Sequence, residues 1–175
     1  MAEHLGPVEL VGDRWVIGDP KRGDGLCLVL TADGMEHHRR GVPKPQAVVP
    51  WSRFVSAGVQ ATPWAWQATR TAGVLDALGG GVGNGGRDGC SVGGLLRHPY
   101  EDWSANYTHH ERSYTGAHIF VVGALFRCLS DAKALPRLGD PEWLGAAVGR
   151  LVSVPAWWAP SARRQVRSIV EELGT

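Results

Sequence analysis

The hydrophobic pattern is clearest over Cys27 to Phe54, where three short segments follow one another. Leu28 to Leu30 is a continuous apolar run leading to Asp33-Gly34, the dipeptide favoured in a type I′ hairpin turn. The returning segment, Met35 to Arg40, is polar and ends in a proline-punctuated turn, Gly41-Val42-Pro43-Lys44-Pro45. A third segment, Ala47 to Val49, stops at Pro50, which has no N–H to give a ladder. This pattern predicts a β-meander. Upstream, Val8 to Ile17 reads as a strand pair or one bulged strand, with Trp15 and Ile17 on one face, followed by a turn-rich loop from Gly18 to Gly25. Downstream, Phe54 to Thr62 and Trp103 to His110 are further strand candidates, and Gln67 to Leu78 fits either period.

The last third of the chain changes period. Ser113 to Leu135 is predicted as a helix with Ala117, Phe120, Val121, Ala124, Leu125 and Cys128 among its apolar positions. Val122, Phe126 and Leu129 cover much of its other side, so burial on most faces is expected. Asp140-Pro141-Glu142 is a helix start, with Asp as N-cap, Pro at the first position and an acid in the first turn. Leu144, Val148, Leu151 and Val152 make its apolar stripe, and Pro155 stops it. A last helix opens near Ser161 and carries Val166, Ile169, Val170 and Leu173 at helical spacing, with Gly174 as its cap. Strands first and helices last predict an α+β fold. Residues 1–110 form its β-rich region and 111–175 about three helices packed on it in one compact unit.

Composition narrows the function classes. The 175-residue chain is 43% hydrophobic and 20% charged, enough to build a core without metal or disulfide. Its net charge of +1 excludes a global field that would steer nucleic acid or an anionic membrane, so any such contact must be local. Three cysteines, Cys27, Cys90 and Cys128, lack metal-site spacing, and an odd count predicts a reducing, cytoplasmic setting. The first ten residues lack the basic and apolar regions of a signal peptide, and no transmembrane segment is predicted. Residues 79–94 contain nine glycines and read as a flexible loop. Gly81 to Gly86 matches GxGxxG, but no helix start follows, so no cofactor is expected.

Leu28-Val29-Leu30-Thr31-Ala32-Asp33-Gly34, a basic turn, and then Val48-Val49-Pro50-Trp51-Ser52-Arg53-Phe54 resemble the small bacterial pleckstrin-homology-like domains of the YcxB type. The resemblance covers residues 8–62. It implies an open barrel capped by a helix, a binding or assembly role, and no catalytic residue set. Around Leu138-Gly139-Asp140-Pro141-Glu142-Trp143-Leu144 the chain resembles uncharacterised actinobacterial proteins, which implies no function.

Candidate chemistry is sparse. His109, His110, Glu111 and His118 lie close in sequence, but HExxH is absent and His110 and His118 are too far apart on one helix to share an ion, so no metal site is expected. Cys90 could act as a nucleophile if His98 or His109 were beside it, and Glu101-Asp102 could be an acid–base pair. Trp64, Trp66, Trp157 and Trp158 sit in loops or extended segments, where aromatics mark interaction surfaces. Arg163, Arg164 and Arg167 crowd the start of the last helix and suggest an anion site. They could instead pair with acids elsewhere, and Arg167 with Glu171. The leading expectation is a non-enzymatic cytoplasmic binding or assembly module without cofactor. Its partner would be a protein or a second copy of itself, with an anionic ligand at the last helix and nucleic acid disfavoured. The rival readings are a small enzyme using Cys90 or the His109/His110/Glu111 cluster, and a nucleic-acid regulator using the C-terminal helices.

Overall fold

The computed structural model describes residues 4–64, 90–156 and 158–174. Gln67 to Leu78, the Gly81–Gly86 motif, Trp66 and Trp157 lie outside the described residues. Six strands run as one antiparallel meander: β1 (His4–Leu5), β2 (Val8–Val11), β3 (Arg14–Ile17), β4 (Cys27–Leu30), β5 (Gly34–His38) and β6 (Ala47–Pro50). Val8 to Ile17 is therefore a strand pair, turned at Gly12-Asp13 with Gly12 at a φ of +67°. The register places Trp15, Leu30, Met35 and Val49 opposite one another across four strands, all buried on one face. Because side chains alternate with period two, Glu9, Val16, Val29 and Glu36 form the matching row on the other face. There Val16, Val29 and Cys27 make a small second cluster.

The β4–β5 turn differs from the type I′ expectation. Its two central residues are Ala32 and Asp33, closed by Thr31 N donating to Gly34 O at 2.9 Å, and Gly34 does not take a positive φ. Gly34 N instead donates to the Thr31 hydroxyl at 3.2 Å. The glycine is required by close approach: a Cβ there would overlap the Val49 carbonyl oxygen and lie 2.8 Å from Pro50 Cα. The Thr31 carbonyl is left to accept from Trp51 Nε1 at 2.8 Å.

A 3₁₀ turn at Trp51–Arg53 passes the chain to a second antiparallel sheet in the order β7 (Phe54–Gln60), β8 (Ser91–Leu96), β9 (Glu101–Asn106). The glycine-rich loop predicted over 79–94 is thus too long at its end, since Ser91 to Gly94 belong to β8. Gly94 is there because a Cβ would overlap the Ser56 carbonyl oxygen on the neighbouring strand. The strand expected over Trp103 to His110 runs from Glu101 and ends at Asn106. The chain just beyond it ties the sheets together, Thr108 N donating to Leu26 O at 2.8 Å and Asp19 N to Thr108 O at 2.8 Å. The two sheets remain separate, without a closed barrel among the described residues.

Three helices complete the α+β fold: α1 (Gly116–Asp131), α2 (Pro141–Leu151) and α3 (Ala159–Glu172). The Thr115 side chain caps α1, accepting from His118 N. This helix is shorter than Ser113 to Leu135, because the chain reverses through Lys133 at a φ of 55° and enters a 3₁₀ turn at Leu135–Gly139. Asp140 caps α2 as expected, its Oδ1 accepting from Glu142 N and Trp143 N at 3.1 Å each. The stop comes at Leu151, ahead of Pro155. Sheets and helices share one core, in which Val121, Leu125, Phe126 and Leu129 of α1 meet Phe54 and Val92, and Val166 and Val170 of α3 close the outside. Three buried indoles find carbonyls on distant elements: Trp51 on Thr31, Trp15 on Pro141 and Trp143 on Gly174. Among the described residues no helix is long and apolar enough to cross a membrane.

Candidate binding groove

One face of α1 is turned from the core toward α3 and the outer edge of β7. Along it lie Ile119 and Phe120, Gly123 and Ala124, Arg127 and Cys128, then Ser130 and Asp131, a spacing that returns to the same side of a helix. With Ser56 to Val59 of β7, Gly93 of β8, and Arg163 and Arg167 of α3, these residues line an open groove of about 860 Å³. Glycines make the room: at Gly58 and Gly123 a Cβ would meet nothing within 4 Å. Among the described lining residues, three guanidinium groups face one carboxylate, Asp131. Among the described residues none of Arg127, Arg163 and Arg167 forms an ion pair. Arg163 lies over the Phe120 ring, 5.6 Å from its centroid. Arg167 sits against the Cys128 thiol, where burial pushes the thiol pKa up and the guanidinium pulls it back.

The structure brings together two of the three predicted arginines. Arg164 is exposed and does not line the groove. The expected Arg167–Glu171 pair does not form, and the neighbouring acid Glu172 is held by Arg150 at 2.9 Å and by Ser168 at 3.1 Å. The helix also begins at Ala159, two residues before Ser161, so the arginines lie past its first turn and the expected conflict with the dipole is small. Arg127 was not among the predicted site residues; its signal is a single basic residue in the apolar face pattern of Phe120, Ala124 and Cys128. Trp64 and Trp158 are 53% and 56% exposed but lie apart from the groove lining.

The histidine stretch forms a second, closed cluster. Arg112 Nη1 sits 2.8 Å from Glu9 Oε2, and Nη2 donates to Gly6 O at 3.0 Å. The buried Tyr114 hydroxyl accepts from His110 N at 3.1 Å and lies 2.6 Å from His110 Nδ1. Its ring stacks on His109 at 4.1 Å between centroids. Burial and the Arg112 charge pull the His110 pKa down to about 3. His110 Nε2 is 3.2 Å from Glu9 Oε2, outside hydrogen-bond geometry, and that carboxylate is already held by Arg112. Arg22 Nη1 donates to the carbonyls of both His109 and His110.

The geometry does not pair Cys90 with a histidine. His109 Nδ1 faces His110 O at 2.6 Å and Nε2 faces Thr62 O at 2.8 Å, so neither ring nitrogen is turned on Cys90. His98 and Cys90 flank opposite ends of β8. The Cys90 thiol is buried, 3.7 Å from the Thr62 hydroxyl. Glu111 is exposed, and Glu101 pairs with Arg53 at 2.7 Å. Among the described residues no group of three or more His, Cys, Asp or Glu is placed to hold a metal ion. Comparison with family models, curated proteins and solved structures finds no match for the chain.

Proposed function

We propose that the protein is a non-enzymatic binding or assembly module that holds an acidic protein partner in the groove between β7, α1 and α3. The carrying observation is the gathering of Arg127, Arg163 and Arg167 around one groove without an ion-pair partner among the described residues. Arginines on a surface ordinarily find a carboxylate nearby at little cost, and three left unpaired in a concave site present a complementary field to an anionic partner. The likeness of residues 8–62 to bacterial pleckstrin-homology-like domains implies the same binding or assembly role. A cytoplasmic, reducing setting suits the three free thiols.

Titration of the full chain with poly-L-glutamate tests this reading. Binding at low ionic strength should weaken as salt screens the charges. It should fall at least about tenfold in the Arg127→Gln/Arg163→Gln/Arg167→Gln variant, as loss of charge-assisted contacts requires. Equal binding by the triple variant would remove the groove from consideration.

A further inference from the structure

We infer that the occupant of the groove is an extended acidic segment of the partner, laid along β7 as a fourth strand of the second sheet; this rests on the groove being the binding site. In an antiparallel ladder the backbone groups of alternate residues point to opposite edges. The parity of this sheet follows from its outer contacts. Tyr107 N donates to Cys90 O at 3.0 Å, so Cys90, Val92 and Gly94 turn their backbone groups toward β9. Gly93 and Ser91 therefore turn theirs toward β7, where they meet Gly58 and Gln60. Ala57 and Val59 are left with N–H and C=O directed away from the sheet, into the groove that both residues line.

Each outer edge of the sheet is met at one point by another element, and the groove lies against the β7 edge. The β9 edge is taken at its end: His37 Nε2 lies 3.0 Å from Asn106 O, and Thr108 is bonded to Leu26 and Asp19. On β7, the Ser130 hydroxyl accepts from Ala57 N at 3.1 Å and gives its one hydrogen to Phe126 O at 2.8 Å. That leaves Ala57 O, at 3.4 Å, without a good donor. Among the described residues no hydrogen bond reaches the outward N–H and C=O of Val59. These groups are the template that strand addition uses.

The side chains around this edge select the strand. Open space at Gly58 and Gly123 admits a backbone where a side chain would block it. Arg163 and Arg167 stand one helical turn apart, about 6 Å of axial rise. Alternate residues of an extended chain repeat every 6.8 Å or so, which lets acids at every second position meet both arginines. The ligand chemistry is thus an alternating acidic β-segment.

A labelled alternating Thr-Glu decapeptide, followed by fluorescence anisotropy on the full chain, tests the mode. It should bind the wild-type protein. N-methylation of one alternate set of residues should weaken binding about tenfold, the worth of a backbone hydrogen bond, while methylation of the other set should not. Val59→Pro removes only the outward N–H, which an edge strand tolerates, and should weaken binding by a similar factor with the melting temperature kept. If Val59→Pro fails to fold, the methylated pair on wild-type protein decides. Both methylated peptides binding like the parent would overturn strand addition while leaving the anionic groove in place. Tighter binding of a decathymidylate than of the peptide would overturn it in favour of nucleic acid. Failure of the peptide and of poly-L-glutamate alike would overturn both readings.

Discussion

The arginine groove and the histidine–tyrosine cluster both collect polar and cationic side chains where strands meet the helical region, and they are built in opposite ways. In the cluster, Arg112 is answered by Glu9 and Gly6, His109 by two carbonyls, and His110 by Tyr114. Its rings are buried and its contacts join residues far apart in the chain. In the groove, Arg127, Arg163 and Arg167 are exposed, with no carboxylate paired to them among the described residues. Near-completeness, with His110 Nε2 the one buried side-chain atom of this cluster left without a hydrogen bond among the described residues, suits a structural clamp, because each further unmatched buried group would cost stability. Incompleteness inside a concave surface is what a recognition site needs, because the missing partners can come from another molecule. The histidines drew the eye in sequence, yet the chemistry left open to an outside molecule lies with the arginines.

Four perturbations would break or sharpen this contrast, taken from the largest stability effect to the smallest. Acid comes first. His110 has a folded pKa of about 3 against an ordinary value of 6.5, faced by Glu9, Arg112, His109, Tyr114, Asp19 and His4. The unfolded chain therefore binds more protons in that window. Stability should be full above about pH 6.5 and fall with acid by up to about 1.4 kcal/mol per pH unit. Urea titrations of wild type and His110→Gln at several pH values should show the variant with the shallower dependence; superimposable slopes would argue against a neutral, sealed His110. Tyr114→Phe comes next. It strands His110 N and Nδ1 in a buried site and should cost about 1–3 kcal/mol by thermal melting, without changing poly-L-glutamate affinity.

On the groove side the effects on stability should be small or favourable. Gly123→Ala meets nothing within 4 Å and replaces glycine inside a helix, so it should stabilise by about 0.5–1 kcal/mol. Gly149→Ala, equally open on α2, supplies the control: a similar gain in melting temperature with affinity unchanged, where Gly123→Ala narrows the groove and weakens binding. The triple Arg→Gln variant should shift stability least, within about 0.5 kcal/mol, since no ion pair is lost. A large destabilisation there would mean that the arginines serve the fold.

How far the chain could be read in advance depended on the range of the interactions involved. The Asp140 cap and the Trp15/Ile17 alternation are local matters, settled within a turn of helix or one strand, and they stand as expected. The β4–β5 turn departs from the expectation because one local bond and one distant contact decide it. Thr31 offers its hydroxyl to Gly34 N, and β6 runs so close to Gly34 that a side chain would strike the Val49 carbonyl. Gly34→Val should thus cost about 1–3 kcal/mol through steric conflict across the sheet, a loss that melting would register. The groove was half legible. Arg163 and Arg167 show in the sequence as a basic helical face, while Arg127 and the outward edge of Val59 become partners of that face only through the packing of α1. Nothing local links residues 59, 127 and 167.

The placement of the thiols has a practical side. Cys27 and Cys90 are sealed in the interior, the former with its pKa pushed up to about 11, whereas Cys128 is half-buried in the groove wall beside Arg167. Alkylation slows as the thiolate becomes scarcer and access narrower. One residue should therefore react in the native protein, and a segment lying in the groove should shield it. The molecule carries its own footprinting reagent site at the place where occupancy matters, with two silent cysteines to report when the fold itself has opened.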